Sequence, residues 1–462
     1  MNIRPSIVAI IGGGVSGTLM AVQLLRQALV PLQVLLFERM TGVGRGVAYG
    51  TENHEHCLNA TAARMSALPD DPGHFLRWVE SRQGQTGYPD RVAGGDYLPR
   101  WIYGDYIQTL LEETIGRAGP EIRCEVIKGE VADIETESGE VRLRCGDGRA
   151  FVADRVVLAL GNLPGEYPIR RSLPVYNTQR YVHVPWRPGV LAGIAPEADV
   201  LVVGAGLTSV DIILDLAALG HRGVVHALSR RGLRPQVHET HPPYPAFFAA
   251  EPPPATILGL WRRLRGEVRR AGRQGIDWRP VLDAVRRETP AIWSALSWEE
   301  RARFMRHVRP FWEIHRHRLA PAVAKKIEIL RAAGRLRFYA GRLEALLERP
   351  DGVEARFRER GTMRRNALRV AKVINCTGPR SDYSKYQHPL LINLLARGLI
   401  DHDPLALGLN ALPDGTVLGY RSGPVGWLFT LGAPLKGVLW ECTAVPEISR
   451  QAQLLAGRIL AG

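Results

Sequence analysis

Apolar positions along this 462-residue chain change their period several times, and the changes mark out its elements. Residues 7–11, IVAII, form a continuous apolar run that predicts a buried strand. Past Gly12, Gly14 and Gly17 the apolar positions recur at helical spacing, and VLLFE, ending at Glu38, reads as the next strand. The same order returns at 200–220. VLVV is followed by Gly204 and Gly206, then by an apolar-periodic helix, then by the strand VVHALSRRG. Residues 141–161 and 353–378 echo each other, each as a β-meander followed by a buried strand that ends in glycine. Residues 163–198 form a Pro-rich crossover. The stretch HETHPPYPAFFAAEPPPAT cannot be one continuous helix because of its prolines, whereas the sequence on both sides of Pro310 has a helical pattern. Near the end, LFTLGAPLKGVLWECTAVPEISRQAQLLAG reads as a strand, a tight turn from Gly432 to Gly437, and a helix.

These elements predict an α/β chain with two Rossmann-like dinucleotide-binding domains, the second inserted in the first. The first would comprise residues 1–165 and 371–462. The second would comprise 166–370, with a helical insertion at about 240–330. In such a unit the first glycine permits a tight turn, the second lets backbone approach a pyrophosphate, and the third lets helix and strand pack closely. Glu38 stands where an acid can bind a ribose. The second unit has Ser209 in place of the third glycine, and its strand ends in Arg230 and Arg231 rather than in an acid. Guanidiniums there suit a 2′-phosphate, which points to NADPH.

Charge changes the picture in one region. The formal net charge is +14, and residues 262–331 alone carry +10. No zinc-finger spacing or RNA-binding signature accompanies it, so a specific nucleic-acid partner is not expected. An attractive field for an anionic substrate or cofactor is. The five cysteines form no CxxC pair, which argues against a dithiol centre or a zinc knuckle, and no metal site is expected. No apolar run is long enough for a membrane span. The N-terminus reads as a first strand rather than a signal peptide, which predicts a cytoplasmic protein.

The stretches GGGVSG, GRGVAYGT, CLNATAARMSA, VLALGN, VINCTGP and GVLWECTAVPEI together resemble the FAD–NAD(P)-binding family of flavoproteins with two dinucleotide-binding domains, which is related to NADPH-dependent N-hydroxylating monooxygenases. The resemblance implies FAD at Gly12, Gly14, Gly17 and Glu38. It implies Arg45 beside the pyrophosphate or the flavin ring, Asn59, Ala60 and Gly161 in the flavin region, and Gly432 to Gly437 closing around the ring. It implies NADPH at Gly204, Gly206, Ser209, Arg230 and Arg231. Relatives often place an aspartate after the glycine of the C-terminal strand. Ala433 stands there in this chain, and Lys436 places a cation nearby.

The function implied is that of an FAD-dependent oxidoreductase reduced by NADPH, a monooxygenase hydroxylating an amine nitrogen of a small substrate, with molecular oxygen as co-substrate. The alternatives are a reductase or oxidase without oxygen insertion, and a redox-sensing binding protein. The candidate catalytic residues are Arg45, His56, His317 and Lys436. Histidine is the natural proton carrier near neutral pH. His315 and His317, two residues apart, do not share a helix face, so they are not read as a metal pair. Arg309 and Arg316 are candidates for a substrate carboxylate or phosphate, so an anionic substrate or an amino acid is expected. A homo-oligomer is left open.

Overall fold

In the computed structural model, residues 4–40, 42–137, 139–169, 173–248 and 252–462 are described. Residues 1–3 of the N-terminal stretch and 249–251 of the Pro-rich stretch lie outside them. The first sheet runs Thr416–Gly419, Gly423–Thr430, Arg155–Leu158, Ser6–Ile11, Leu32–Glu38, Ile122–Lys128. Its pairings are parallel except for the edge hairpin. Strand Ser6–Ile11 is apolar throughout its buried half because both faces are covered. Helix Val15–Gln27 covers one face and packs against helices Arg100–Arg117 and Val445–Leu460. Leu19, Met20 and Leu24 are fully buried there, each stabilising by roughly 2 kcal/mol.

The second sheet runs Arg365–Val370, Gly352–Glu359, Leu336–Arg349, Val225–Ser229, Val200–Val203, Lys372–Asn375, Tyr181–Val182. All of its strands lie in sequence between two strands of the first sheet, as the predicted nesting requires. Strand Lys372–Asn375 pairs with Val200–Val203, however, so the second sheet extends to Asn375, beyond the expected limit at 370. The first meander forms its own sheet of Val131–Glu137, Glu140–Cys145 and Ala150–Ala153.

The insertion is shorter than the pattern suggested. Its helices are Ile257–Arg273, Trp278–Ala295, Trp298–Arg303 and Arg309–Arg316, with a π-turn at Phe304–Val308 just ahead of Pro310. Helix Pro321–Ala332 is helical as expected but belongs to the Rossmann unit. It leads into Leu336–Arg349, which pairs parallel to Val225–Ser229. Val323 and Ile327, one turn apart, bury its inner face with Val210 and Ile213.

Helix Leu207–Ala218 of the second unit docks onto the first through polar groups. Arg100 donates twice to Asp211, at 2.7 and 3.3 Å, and Asp211 is 7% exposed. His56 Nε2 lies 3.1 Å from both the Asp211 carbonyl and Asp215 Oδ1, and Thr51 Oγ1 stands 2.7 Å from its Nδ1. Asn53 donates to Asp215 at 2.6 Å. Burial opposes a charge on His56, but the Asp215 hydrogen bond and the charges of Asp211 and Asp215 outweigh it, so its pKa lies above the usual histidine value.

Removing one partner of a buried pair leaves the other charge uncompensated, so Arg100→Met lowers the unfolding free energy by about 3 kcal/mol in urea denaturation. An unchanged midpoint contradicts this. Because the His56 pKa is raised on folding, its contribution is complete below the unfolded value and is lost as pH rises through the folded one. His56→Gln removes that part of the pH dependence.

Candidate functional site

The first glycine turn opens onto a cleft lined by Gly12, Gly14, Ser16, Glu38, Arg45 and Gly161, among others. Gly12 has φ +109°, and a Cβ there would fall 2.3 Å from the Ala159 carbonyl oxygen. A Cβ on Gly17 would fall 1.8 Å from the Gly12 carbonyl oxygen. Both glycines are therefore required by close backbone approach. Glu38 accepts from the backbone N–H of Gly13 at 2.9 Å and of Met40 at 2.8 Å, which holds its carboxylate on the cleft wall. Helix Val15–Gln27 begins at Gly14 with no side-chain cap and no acid in its first turn. Its free N–H groups suit a phosphate, and Glu38 suits a ribose. The residues present fit a dinucleotide.

The second turn repeats this geometry. Gly204 has φ +131°, and a Cβ there would meet the Cys376 carbonyl oxygen at 2.1 Å. Gly206 starts helix Leu207–Ala218, again with no side-chain cap and no acid in the first turn. Ser209 is buried, and its hydroxyl donates to the Gly206 carbonyl at 2.6 Å, so it stiffens the turn that a third glycine would leave bare. Arg230 is exposed beyond strand Val225–Ser229, and Arg231 makes one long hydrogen bond, 3.4 Å, to the Arg306 carbonyl.

Arg45 lines the first cleft, but its guanidinium is engaged. It donates to Gln108 at 2.9 Å and pairs with Asp105. Gly161, at φ +62°, lines the cleft and accepts from the hydroxyl of the buried Tyr383 at 2.8 Å. Asn59 is exposed, and its carbonyl lies 3.0 Å from His238 Nε2. His56 is brought to the interdomain joint instead of the cleft. Gly432 has φ +73° and packs on Ser16, at the cleft. Gly437 stands further off. A Cβ there would meet Asp403, and its carbonyl accepts from Trp293 Nε1 at 2.8 Å.

Ala433, Thr443 and Val445 line the cleft, and the loop between them meets the helical insertion. Trp440 stacks on Trp293 at 5.0 Å and meets Phe304 edge-on at 5.0 Å. These contacts hold Trp440 at φ +55°, a strained backbone for a bulky residue. Trp312 and Arg316 both donate to Glu441 at 2.9 Å, and Arg286 donates to Glu447 at 2.9 Å. Arg309 bonds Glu313 at 2.8 Å.

His317 and Lys436, more than a hundred residues apart in sequence, come within electrostatic reach of each other. Lys436 lies 5.1 Å from the Trp440 ring centroid, and among the described residues its ammonium has no hydrogen bond. Burial lowers its pKa below the usual lysine value. His317 is held at about 4, first by burial and then by the Arg316 charge. None of the aromatic partners was singled out by the sequence. The only local signal was the tryptophan-rich insertion itself.

A family model described as FAD-NAD(P)-binding matches residues 9–163, the span that holds the first glycine turn, Glu38 and Gly161. A comparison with curated proteins found no match. Among solved structures, the chain is similar to an L-lysine 6-monooxygenase from Pseudomonas syringae, at 17% identity over 99% of both chains and TM-score 0.67. It is similar to an ornithine hydroxylase from Pseudomonas aeruginosa, at 16% identity over 99% of both chains and TM-score 0.65. It is also similar to a bacillithiol disulfide reductase from Staphylococcus aureus, at 11% identity over 99% of both chains and TM-score 0.55. At these identities the likeness shows a shared fold.

With its pKa near 4, His317 stays neutral from pH 5.5 to 8, so its imidazole signals hold still in an NMR titration over that range. Titration near the usual value of 6.5 contradicts the placement.

Proposed function

We propose that this chain is an FAD- and NADPH-dependent oxidoreductase, and that it is a monooxygenase acting on the amine nitrogen of a small substrate. The observation that carries the finer reading is the aromatic wall. Trp293, Phe304, Trp312 and Trp440 pack the insertion onto the loop that also lines the cleft. Oxygen insertion needs a site from which water is excluded, whereas a reductase must admit its electron acceptor. The five cysteines support the same choice. They are free, and burial pushes every thiol up, Cys124 and Cys442 to about 12. A dithiol relay needs a thiol poised to ionise.

Bound FAD would take a hydride from NADPH and supply the electrons for oxygen chemistry. The chain's own residues position and shield. Gly12, Gly14, Gly17 and Glu38 hold one dinucleotide, and Gly204, Gly206, Ser209 and the Arg230–Arg231 pair hold the other. Arg45 keeps the cleft wall in place through Asp105 and Gln108. His56 is a positioning residue in the joint that sets the two sites against each other. Lys436, with its lowered pKa, is the group suited to take a proton from an ammonium substrate, and His317, uncharged, adds no like charge beside it. An amine must lose that proton before its nitrogen can accept oxygen.

The test is product balance in air. FAD-loaded protein is supplied with NADPH and a panel of amines that includes L-lysine, L-ornithine and cadaverine. An amine that is turned over yields hydroxylamine in step with NADPH consumed. NADPH consumption matched by hydrogen peroxide alone for every amine, or driven by a quinone or a disulfide, contradicts the reading.

A further inference from the structure

The insertion also presents a surface that this chemistry does not use. Helix Ile257–Arg273 packs on Trp278–Ala295 and turns its other face to solvent. Leu258, Arg262, Arg265, Arg269 and Arg273 are all exposed. At about 100° per residue they fall within an arc of roughly 80°, and the four arginines form a row about 16 Å long. Among the described residues none of those four has a carboxylate partner or a hydrogen bond. The one acid of the helix, Glu267, lies on the opposite side. There it accepts from the Tyr244 hydroxyl at 2.6 Å and stands 3.6 Å from Arg270.

Apolar side chains cluster at one end of this row. The Ile257 N–H donates to Glu300 at 2.8 Å, which ties the start of the helix to the start of Trp298–Arg303. Leu258 is 56% and Trp298 53% exposed at that corner. Phe311, 39% exposed, lies 6.4 Å from Trp261, one turn further along.

We propose that this face docks the protein reversibly on an anionic lipid bilayer. A straight, rigid row of unpaired arginines matches a planar layer of anionic headgroups. Exposed tryptophan, leucine and phenylalanine beside it match the boundary between headgroups and acyl chains. A nucleic acid or an acidic protein would satisfy the arginines but leave the apolar corner without a use. No described helix is long and apolar enough to cross a membrane, so the contact is peripheral.

The test is vesicle flotation of the full-length protein. It binds phosphatidylcholine vesicles that carry phosphatidylglycerol and not vesicles of phosphatidylcholine alone. Each arginine contributes about fivefold, so R262Q/R265Q/R269Q/R273Q loses binding several hundredfold. L258S/W298S keeps binding at low salt and loses it at physiological salt, where charge is screened. Unchanged thermal melting and FAD content confirm that both variants are folded. Equal flotation of the fourfold variant overturns the proposal. So does tighter binding to a short DNA duplex than to the anionic vesicles, together with an L258S/W298S variant that behaves as wild type.

Discussion

The buried pair of Arg100 and Asp211 is the contact on which the working geometry depends. Each glycine turn is locally complete, because its helix, its strand and its close backbone approach lie within one unit. Nothing inside either unit sets the distance between them. Arg100 does so by holding helix Leu207–Ala218, the helix that begins at the second glycine turn. Its Nε also donates to the Cys57 carbonyl at 3.0 Å, so the joint is braced on the same loop as His56. A buried ion pair adds little net stability compared with an apolar contact, but it specifies one orientation. Hydride transfer between two bound nucleotides requires that specificity.

The second constraint is the wall between the insertion and the C-terminal loop. It combines stacked aromatic rings with three arginine–carboxylate pairs. Those pairs engage Glu313, Glu441 and one oxygen of Glu447, and among the described residues the Lys436 ammonium is left over a ring face. Burial therefore tells on Lys436 and His317 together and shifts both toward their neutral forms. The same wall strains the backbone at Trp440, which the packing over-determines.

The two dinucleotide units were legible in the sequence because turn chemistry is local. Gly12 and Gly204 are needed by backbone contacts that recur wherever a strand, a tight turn and a helix follow one another. The nesting is legible from the order of the strands along the chain, but helical periodicity does not say what a helix packs on, so it cannot assign Pro321–Ala332 to the Rossmann unit. The candidate site was legible only in part. His56 pairs with a residue 155 positions away, and nothing near it in the sequence announces Asp211. The wall around Lys436 joins segments of similar separation. The resemblance implies Gly437 at the flavin ring, whereas in the structure its carbonyl accepts from Trp293 and its Cα faces Asp403.

Two dinucleotide sites proposed to face each other in one chain must pass a hydride directly between their nucleotides. The most direct measurement is anaerobic mixing of fully FAD-loaded protein with NADPH or NADH, followed by the flavin absorbance. The flavin is expected to be reduced, and faster by NADPH if Arg230 and Arg231, which follow strand Val225–Ser229, hold a 2′-phosphate as proposed. A fully loaded flavin that neither nucleotide reduces would contradict it.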